Sequence, residues 1–162
     1  MRIDDELYRL AIALGRAALE RKVRIATAES CTGGLVAGAI TAVAGSSDWF
    51  DCGFITYSND AKIGQLAVPP RTIEQFGAVS EETALAMAEG ALGASRAQWA
   101  VAVTGIAGPA GGTLDKPVGT VCFAWLGPEV AKTSRIRLSG DRAAIRRESV
   151  RIALEGILDR LA

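Results

Sequence analysis

Histidine is missing altogether from the 162 residues. No Ser-His-Asp triad, Cys-His pair or histidine metal site can form within the chain. Any general base must be lysine, tyrosine, a carboxylate or a water. Lysine serves only when neutral, so its usual pKa of about 10.4 has to fall by several units. Cysteine is scarce. Cys31, Cys52 and Cys122 are odd in number, widely spaced and without a CxxC, which excludes a disulfide framework and a zinc site and leaves buried free thiols. Charge of either sign is not in excess. Eighteen basic residues balance 18 acidic ones, so no general nucleic-acid surface is indicated, although seven arginines lie between Arg135 and Arg160. Long apolar runs are absent too, so no membrane span is expected. The N-terminus carries Asp4, Asp5 and Glu6 and no apolar core of a signal peptide, so a cytoplasmic protein is expected.

What is present is the composition of a packed domain, 49% hydrophobic and 22% charged, at the length of a single unit spanning 1–162. Its centre of interest is Ala44 to Lys62. Ser46 and Ser47 follow a helix-ending Gly45. Phe54-Ile55-Thr56-Tyr57 reads as a strand, and Ser58-Asn59-Asp60 as a helix start capped by Asn59, with Lys62 in the first turn. Serine, tyrosine and lysine on the rims of one strand are the material of nucleophilic catalysis without histidine. Burial and the positive end of a helix dipole would both lower the lysine pKa, while Asp60 opposes them. The same residues also fit a plain surface lysine and ordinary capping serines.

In chain order, Asp4 caps a helix over about 5–21, with Leu7, Leu10, Ala11, Leu14 and Ala18 at helical spacing. Val23 to Thr27 is a strand. It runs into Ala28-Glu29-Ser30-Cys31-Thr32-Gly33-Gly34 and a helix over 35–43. Such a turn either packs a helix closely on a strand through Gly33 and Gly34, or cradles an anion, with Glu29, Ser30 and Thr32 as contacts. It lacks the Gly-Lys-Ser/Thr ending of a Walker loop. Pro69-Pro70 breaks the chain, 72–76 is a short helix, and Ser80 caps an alanine-rich helix over about 81–93. Trp99 to Thr104 is a strand apolar on both faces. The glycine-rich loop after it, Gly105 to Gly112, is too widely spaced for a dinucleotide fingerprint and reads as a ligand-hugging loop. Residues 117–126 and 130–138 form a hairpin, and Asp141 caps a last helix. Arg142 beside that helix start is a phosphate candidate, whereas Arg146 and Arg147 read as a solvated face. The fold expected is α/β, three-layer-like, with a mixed sheet of about five strands flanked by helices.

Several ordered segments then resemble one family. They are Thr27 to Gly34, Ala44-Gly45-Ser46-Ser47, Tyr57 to Lys62, Gly77-Ala78-Val79-Ser80, Thr104 to Pro109, Lys116 to Val121 and Gly140-Asp141-Arg142. Together they resemble the C-terminal domain family of the competence/damage-inducible protein CinA, in its stand-alone amidase form. The resemblance implies hydrolysis of the carboxamide of nicotinamide mononucleotide to nicotinate mononucleotide and ammonia, by a Ser-Lys dyad and without a metal or other cofactor. It implies Ser47 as nucleophile, Lys62 as base and Tyr57 as proton relay, with Ser30 as reserve nucleophile. Ser30, Thr32, Gly33, Thr104, Gly105 and Arg142 would bind substrate, the phosphate at the turn of Thr32 to Gly34 or against Arg142. The additional domain of long CinA proteins is not expected. A homo-oligomer, a dimer in the first instance, is expected, since alanine-rich helices can pack against a second copy.

Rival readings have distinct signatures. A β-lactamase-like hydrolase needs Ser-x-x-Lys, and no serine stands three residues before Lys62. A cysteine amidase would use Cys31 and be sensitive to alkylation. A non-catalytic nucleotide-binding or regulatory module would keep the pocket with a protonated lysine and release no ammonia. A role in DNA uptake or repair gains nothing from zero net charge.

Overall fold

The computed structural model describes residues 3–162. Its centre is a five-stranded mixed sheet in the order β2-β1-β3-β4-β5. Strands β1 (Ile25–Glu29), β2 (Phe50–Ile55) and β3 (Trp99–Gly105) run parallel. β4 (Thr120–Gly127) and β5 (Val130–Arg137) form an antiparallel hairpin on the β3 side. The α/β sandwich expected from the sequence is the one observed.

Two apolar layers sandwich the sheet. One face presents the large side chains Ile25, Trp99, Val101, Val103, Phe123 and Trp125. It packs on α1 (Asp5–Arg21), α2 (Leu35–Thr41) and α6 (Arg142–Leu161). The other face is built from small residues, Ala26, Ala28, Ala100, Ala102 and Ala124. It packs on α5 (Glu81–Gly93), whose own buried face is Ala84, Met87, Ala88 and Ala91. Alanine against alanine brings α5 close. At Gly90 an added Cβ would lie 1.9 Å from the carbonyl oxygen of Leu66, the last residue of α3 (Asn59–Leu66). The short α4 (Pro70–Phe76) links α3 to α5.

Local signals set most boundaries. Asp4, Ser80 and Asp141 each accept from a first-turn N–H of the helix they precede, an arrangement worth about 1 kcal/mol apiece. Several starts differ from expectation. β1 begins at Ile25, not Val23, because Lys22 adopts φ 56° and Val23 N–H closes back on the Ala18 carbonyl, ending α1. β2 begins at Phe50, not Phe54. Asp51 and Gly53 are poor strand formers, and pairing with β1 overrides them. Thr56 and Tyr57 lie beyond its end. Ser58, not Asn59, caps α3, so Lys62 is that helix's fourth residue. Proline opens α4 two residues early. β4 starts at Thr120 because Pro117-Val118-Gly119 is a turn, with φ 94° at Gly119.

The β1–β2 ladder carries one irregularity. Ile25 pairs with Phe50 but Ala26 pairs with Cys52, leaving Asp51 as an extra residue. The Asp51 carboxylate accepts from the Arg96 N–H at 2.9 Å, which pins the bulge to the loop before β3.

Candidate active site

The chain leaves β1 toward β2 and later returns on the other side of β1 as β3. The carboxyl ends of these three strands therefore border one crevice, where open α/β sheets place their ligands. A cavity of about 280 Å³ lies there. Ser30 follows β1, Tyr57 and Lys62 follow β2, and Thr104 and Gly105 end β3. The loop from Ile106 to Gly111 and Arg142 of α6 close the rim.

Lys62 is the unusual residue, a lysine only 1% exposed. Its Nζ donates to Ser30 Oγ at 3.0 Å and to the Thr56 carbonyl at 2.8 Å. Its buried Nζ forms no salt bridge among the described residues. Burial holds its pKa below the ordinary lysine value, a negative charge on the nearby Cys31 sulfur being the one influence in the opposite sense. Ser30, 8% exposed, faces the cavity at the junction of β1 and the turn into α2.

That turn is held from both sides. Glu29, 1% exposed, accepts from the N–H groups of Val36 and Ala37 at 2.9 and 3.0 Å. The start of α2, expected to cradle a substrate phosphate, is thus already occupied by the chain's own carboxylate. On the far side Arg146 Nε donates to the Cys31 carbonyl at 3.0 Å, and another guanidinium nitrogen to the Thr32 carbonyl at 3.3 Å. Gly33 N–H closes on the Ser30 carbonyl at 3.0 Å. Among the described residues the N–H groups of Cys31 and Thr32 find no oxygen acceptor in the chain, that of Cys31 lying toward its own sulfur.

The expected site residues divide accordingly. Ser30, Lys62, Tyr57, Thr104, Gly105 and Arg142 are brought together. Ser47 is not. It is exposed, in the 3-10 turn Ser46–Asp48 before β2, and its carbonyl accepts from Arg24 ahead of β1. This is the opposite end of the parallel strands from Lys62, so the expected Ser47–Lys62 pair does not form. The signature serines of that segment form the short 3-10 turn that leads the chain into β2. Thr32 and Gly33 lie behind the cavity rather than in it. Thr32 is wholly buried with an unpartnered hydroxyl, and Gly33 has φ 57° beside Arg146. Tyr57 lines the cavity, but its hydroxyl accepts from Arg142 at 3.0 Å rather than reaching the dyad. Arg142 also donates to the Gly108 carbonyl at 2.9 Å, so it straps the rim. Thr104 spends its hydroxyl proton on the Ala78 carbonyl at 2.8 Å.

Two contributors escaped the sequence reading. Thr56 acts through its backbone, which no side-chain pattern reveals. By sequence Arg146 reads as part of a solvated face, and only the crossing of α6 behind the Ser30 turn shows otherwise. Cys31 stands next to Ser30 in the cavity, but burial pushes its thiol pKa up to about 12, which keeps it protonated and a poor nucleophile.

The chain is similar to known proteins over nearly its whole length. A family model described as the CinA C-terminal domain matches residues 7–161. The nicotinamide-nucleotide amidohydrolase PncC of Escherichia coli K12 is 50% identical over 153 residues, 94% of this chain and 93% of that one. Its namesake from Pseudomonas putida is 49% identical over 154 residues, 95% of this chain and 96% of that one. The crystal structure of competence/damage inducible protein CihA from Agrobacterium tumefaciens superposes with a TM-score of 0.95 at 47% identity, covering 99% and 98% of the two chains.

Proposed function

The chain belongs to the CinA C-terminal domain family, and from that footing we propose that it hydrolyses the carboxamide of nicotinamide mononucleotide, with Ser30 as nucleophile and Lys62 as base. The observation that carries this reading is the 3.0 Å contact between Ser30 Oγ and a buried lysine amine. The names of relatives about half identical over nearly the whole chain support the substrate.

The chemistry follows from the donor and acceptor inventory. The Thr56 carbonyl can only accept, so Lys62 donates there and its orientation is fixed. A neutral amine has one lone pair left. Across the Ser30 contact the direction then reverses, and the serine O–H donates to nitrogen. Lys62 takes that proton as Ser30 attacks the carboxamide carbon. The electron-withdrawing pyridinium makes that carbon more electrophilic. The N–H of Cys31, the residue after the nucleophile, is the natural donor to the developing oxyanion. One such donor is worth about 3 kcal/mol. Protonated Lys62 next gives its proton to the departing amide nitrogen, and ammonia leaves. Water, deprotonated by Lys62, cleaves the Ser30 ester and releases the nicotinate nucleotide.

Arg142 is the residue we assign to the phosphate. It stands at the rim, is a guanidinium suited to bidentate contact, and is held by Tyr57. The phosphate would replace the Gly108 carbonyl as its partner.

The test is ammonia release from nicotinamide mononucleotide by the wild type and by Ser30→Ala, Ser47→Ala and Lys62→Met. Turnover is expected to fall by several orders of magnitude in Ser30→Ala and Lys62→Met, and to persist in Ser47→Ala. A dead Ser47→Ala beside an active Ser30→Ala would reverse the assignment. Nucleotide binding without ammonia release by the wild type would leave a regulatory binding module in its place.

A further inference from the structure

We infer that Arg146 is a positioning residue for the oxyanion site, acting through the peptide planes of the Ser30 turn. The inference rests on the reading of Ser30 as nucleophile.

A trans peptide points its N–H opposite to its C=O. The Cys31 carbonyl belongs to the same peptide as the Thr32 N–H. Arg146 Nε anchors that carbonyl at 3.0 Å, so it aims the Thr32 N–H away from α6. The Thr32 carbonyl, held by the second guanidinium nitrogen at 3.3 Å, belongs to the peptide carrying the Gly33 N–H. That N–H is the one that closes on the Ser30 carbonyl. The Ser30 carbonyl in turn shares its peptide with the Cys31 N–H. One guanidinium therefore fixes three successive planes, the first two directly and the third through Gly33. Among the described residues the N–H groups of Cys31 and Thr32 have no oxygen acceptor, and of the two residues only Cys31 lines the cavity, Thr32 being buried behind it. A buried N–H without an oxygen partner costs energy in the resting protein, and an oxyanion in the cavity recovers it at Cys31. Cationic hydrogen bonds on the carbonyls also polarise the same peptides and strengthen their N–H donors. Gly33 completes the device. It has φ 57°, and a Cβ there would lie 3.3 Å from the Arg146 guanidinium.

The geometry requires a fork. A lysine at this position would bring charge and donors on one rotating nitrogen, without the fixed spacing of the planar guanidinium fork.

The experiment measures kcat and KM for ammonia release by Arg146→Ala and Arg146→Lys, with Ser30→Ala, thermal melts and nucleotide binding in parallel. Both Arg146 variants are expected to lose kcat by roughly ten- to a hundredfold with KM changed less than about threefold, the split of a group acting only in the transition state. Added guanidinium ion is expected to restore part of kcat to Arg146→Ala, and methylammonium not. A kcat within about threefold of the wild type in both variants overturns the inference. So does a loss without guanidinium rescue that tracks a lower melting temperature. If Arg146→Ala does not fold, Arg146→Lys carries the test, and wild-type kcat in a folded Arg146→Lys overturns it. Turnover retained by Ser30→Ala instead removes the nucleophile assignment, an outcome separate from any result at Arg146.

Discussion

At the scale of single residues the site turns on one proton. Lys62 must be neutral to accept from Ser30, and burial favours that form. The rate should therefore rise with pH as Lys62 deprotonates, with a midpoint below the 10.5 of an ordinary lysine. A pH profile of kcat/KM checks this, and a limb that persists in the residual activity of Lys62→Met would assign it to another group. Stability follows the same sign. The folded state sheds the proton before the unfolded state does, so the unfolded chain binds more protons between the depressed pKa and 10.5. Across that window the wild type should gain stability with rising pH relative to Lys62→Met, as read from urea midpoints.

At the scale of elements, the site depends on how closely helices approach the sheet. α3 carries Lys62, and α5 holds α3 through the contact of Gly90 with the Leu66 carbonyl. Backbone cannot yield there as a flexible side chain would. Gly90→Ala, despite its better helix propensity, is expected to destabilise the fold by about 2 kcal/mol or more. It is also expected to lower kcat by displacing α3. A thermal melt unchanged from the wild type would contradict this. Much of this level was legible in the sequence. The caps Asp4, Ser80 and Asp141, the apolar strand from Trp99 and the hairpin turn at Gly127 all carry local signals. Elements whose cause is distant were less legible. Asp51 and Gly53 become strand only because β1 pairs with them. Ser30 and Ser47 look alike in sequence, each a serine at a turn next to a helix. What separates them is which end of the parallel strands each occupies, a property of the assembled sheet. Arg146 and Arg147 are likewise neighbours on one helix. The first reaches the Ser30 turn, while the second pairs with Asp4 and Glu6.

At the scale of the whole molecule, rigidity is concentrated under the site. β1 is buried throughout and lies between two neighbours, and β3 is nearly so. β5 is an edge strand with every residue half-buried or exposed. Amide exchange should be slowest at Ala26 to Ala28 and Val101 to Val103, and faster by orders of magnitude in β5. Equal protection across the sheet, measured by exchange with mass spectrometry or NMR, would count against this gradient. No described helix is long and apolar enough to cross a membrane. The extra residue at Asp51 has its consequence at this scale. Were Asp51 paired in the ladder instead of bulged, Glu29 would face Phe54 instead of Ile55, and everything after β2 would ride about 3.3 Å further along the strand axis. Ser30 directly follows the first of these strands, and Lys62 is carried on α3 after the second. A one-residue offset at the far end of the sheet, tied down by Asp51 to Arg96, thus works as a vernier. It sets whether a serine oxygen and a lysine nitrogen stand within one proton's jump or a water's width apart.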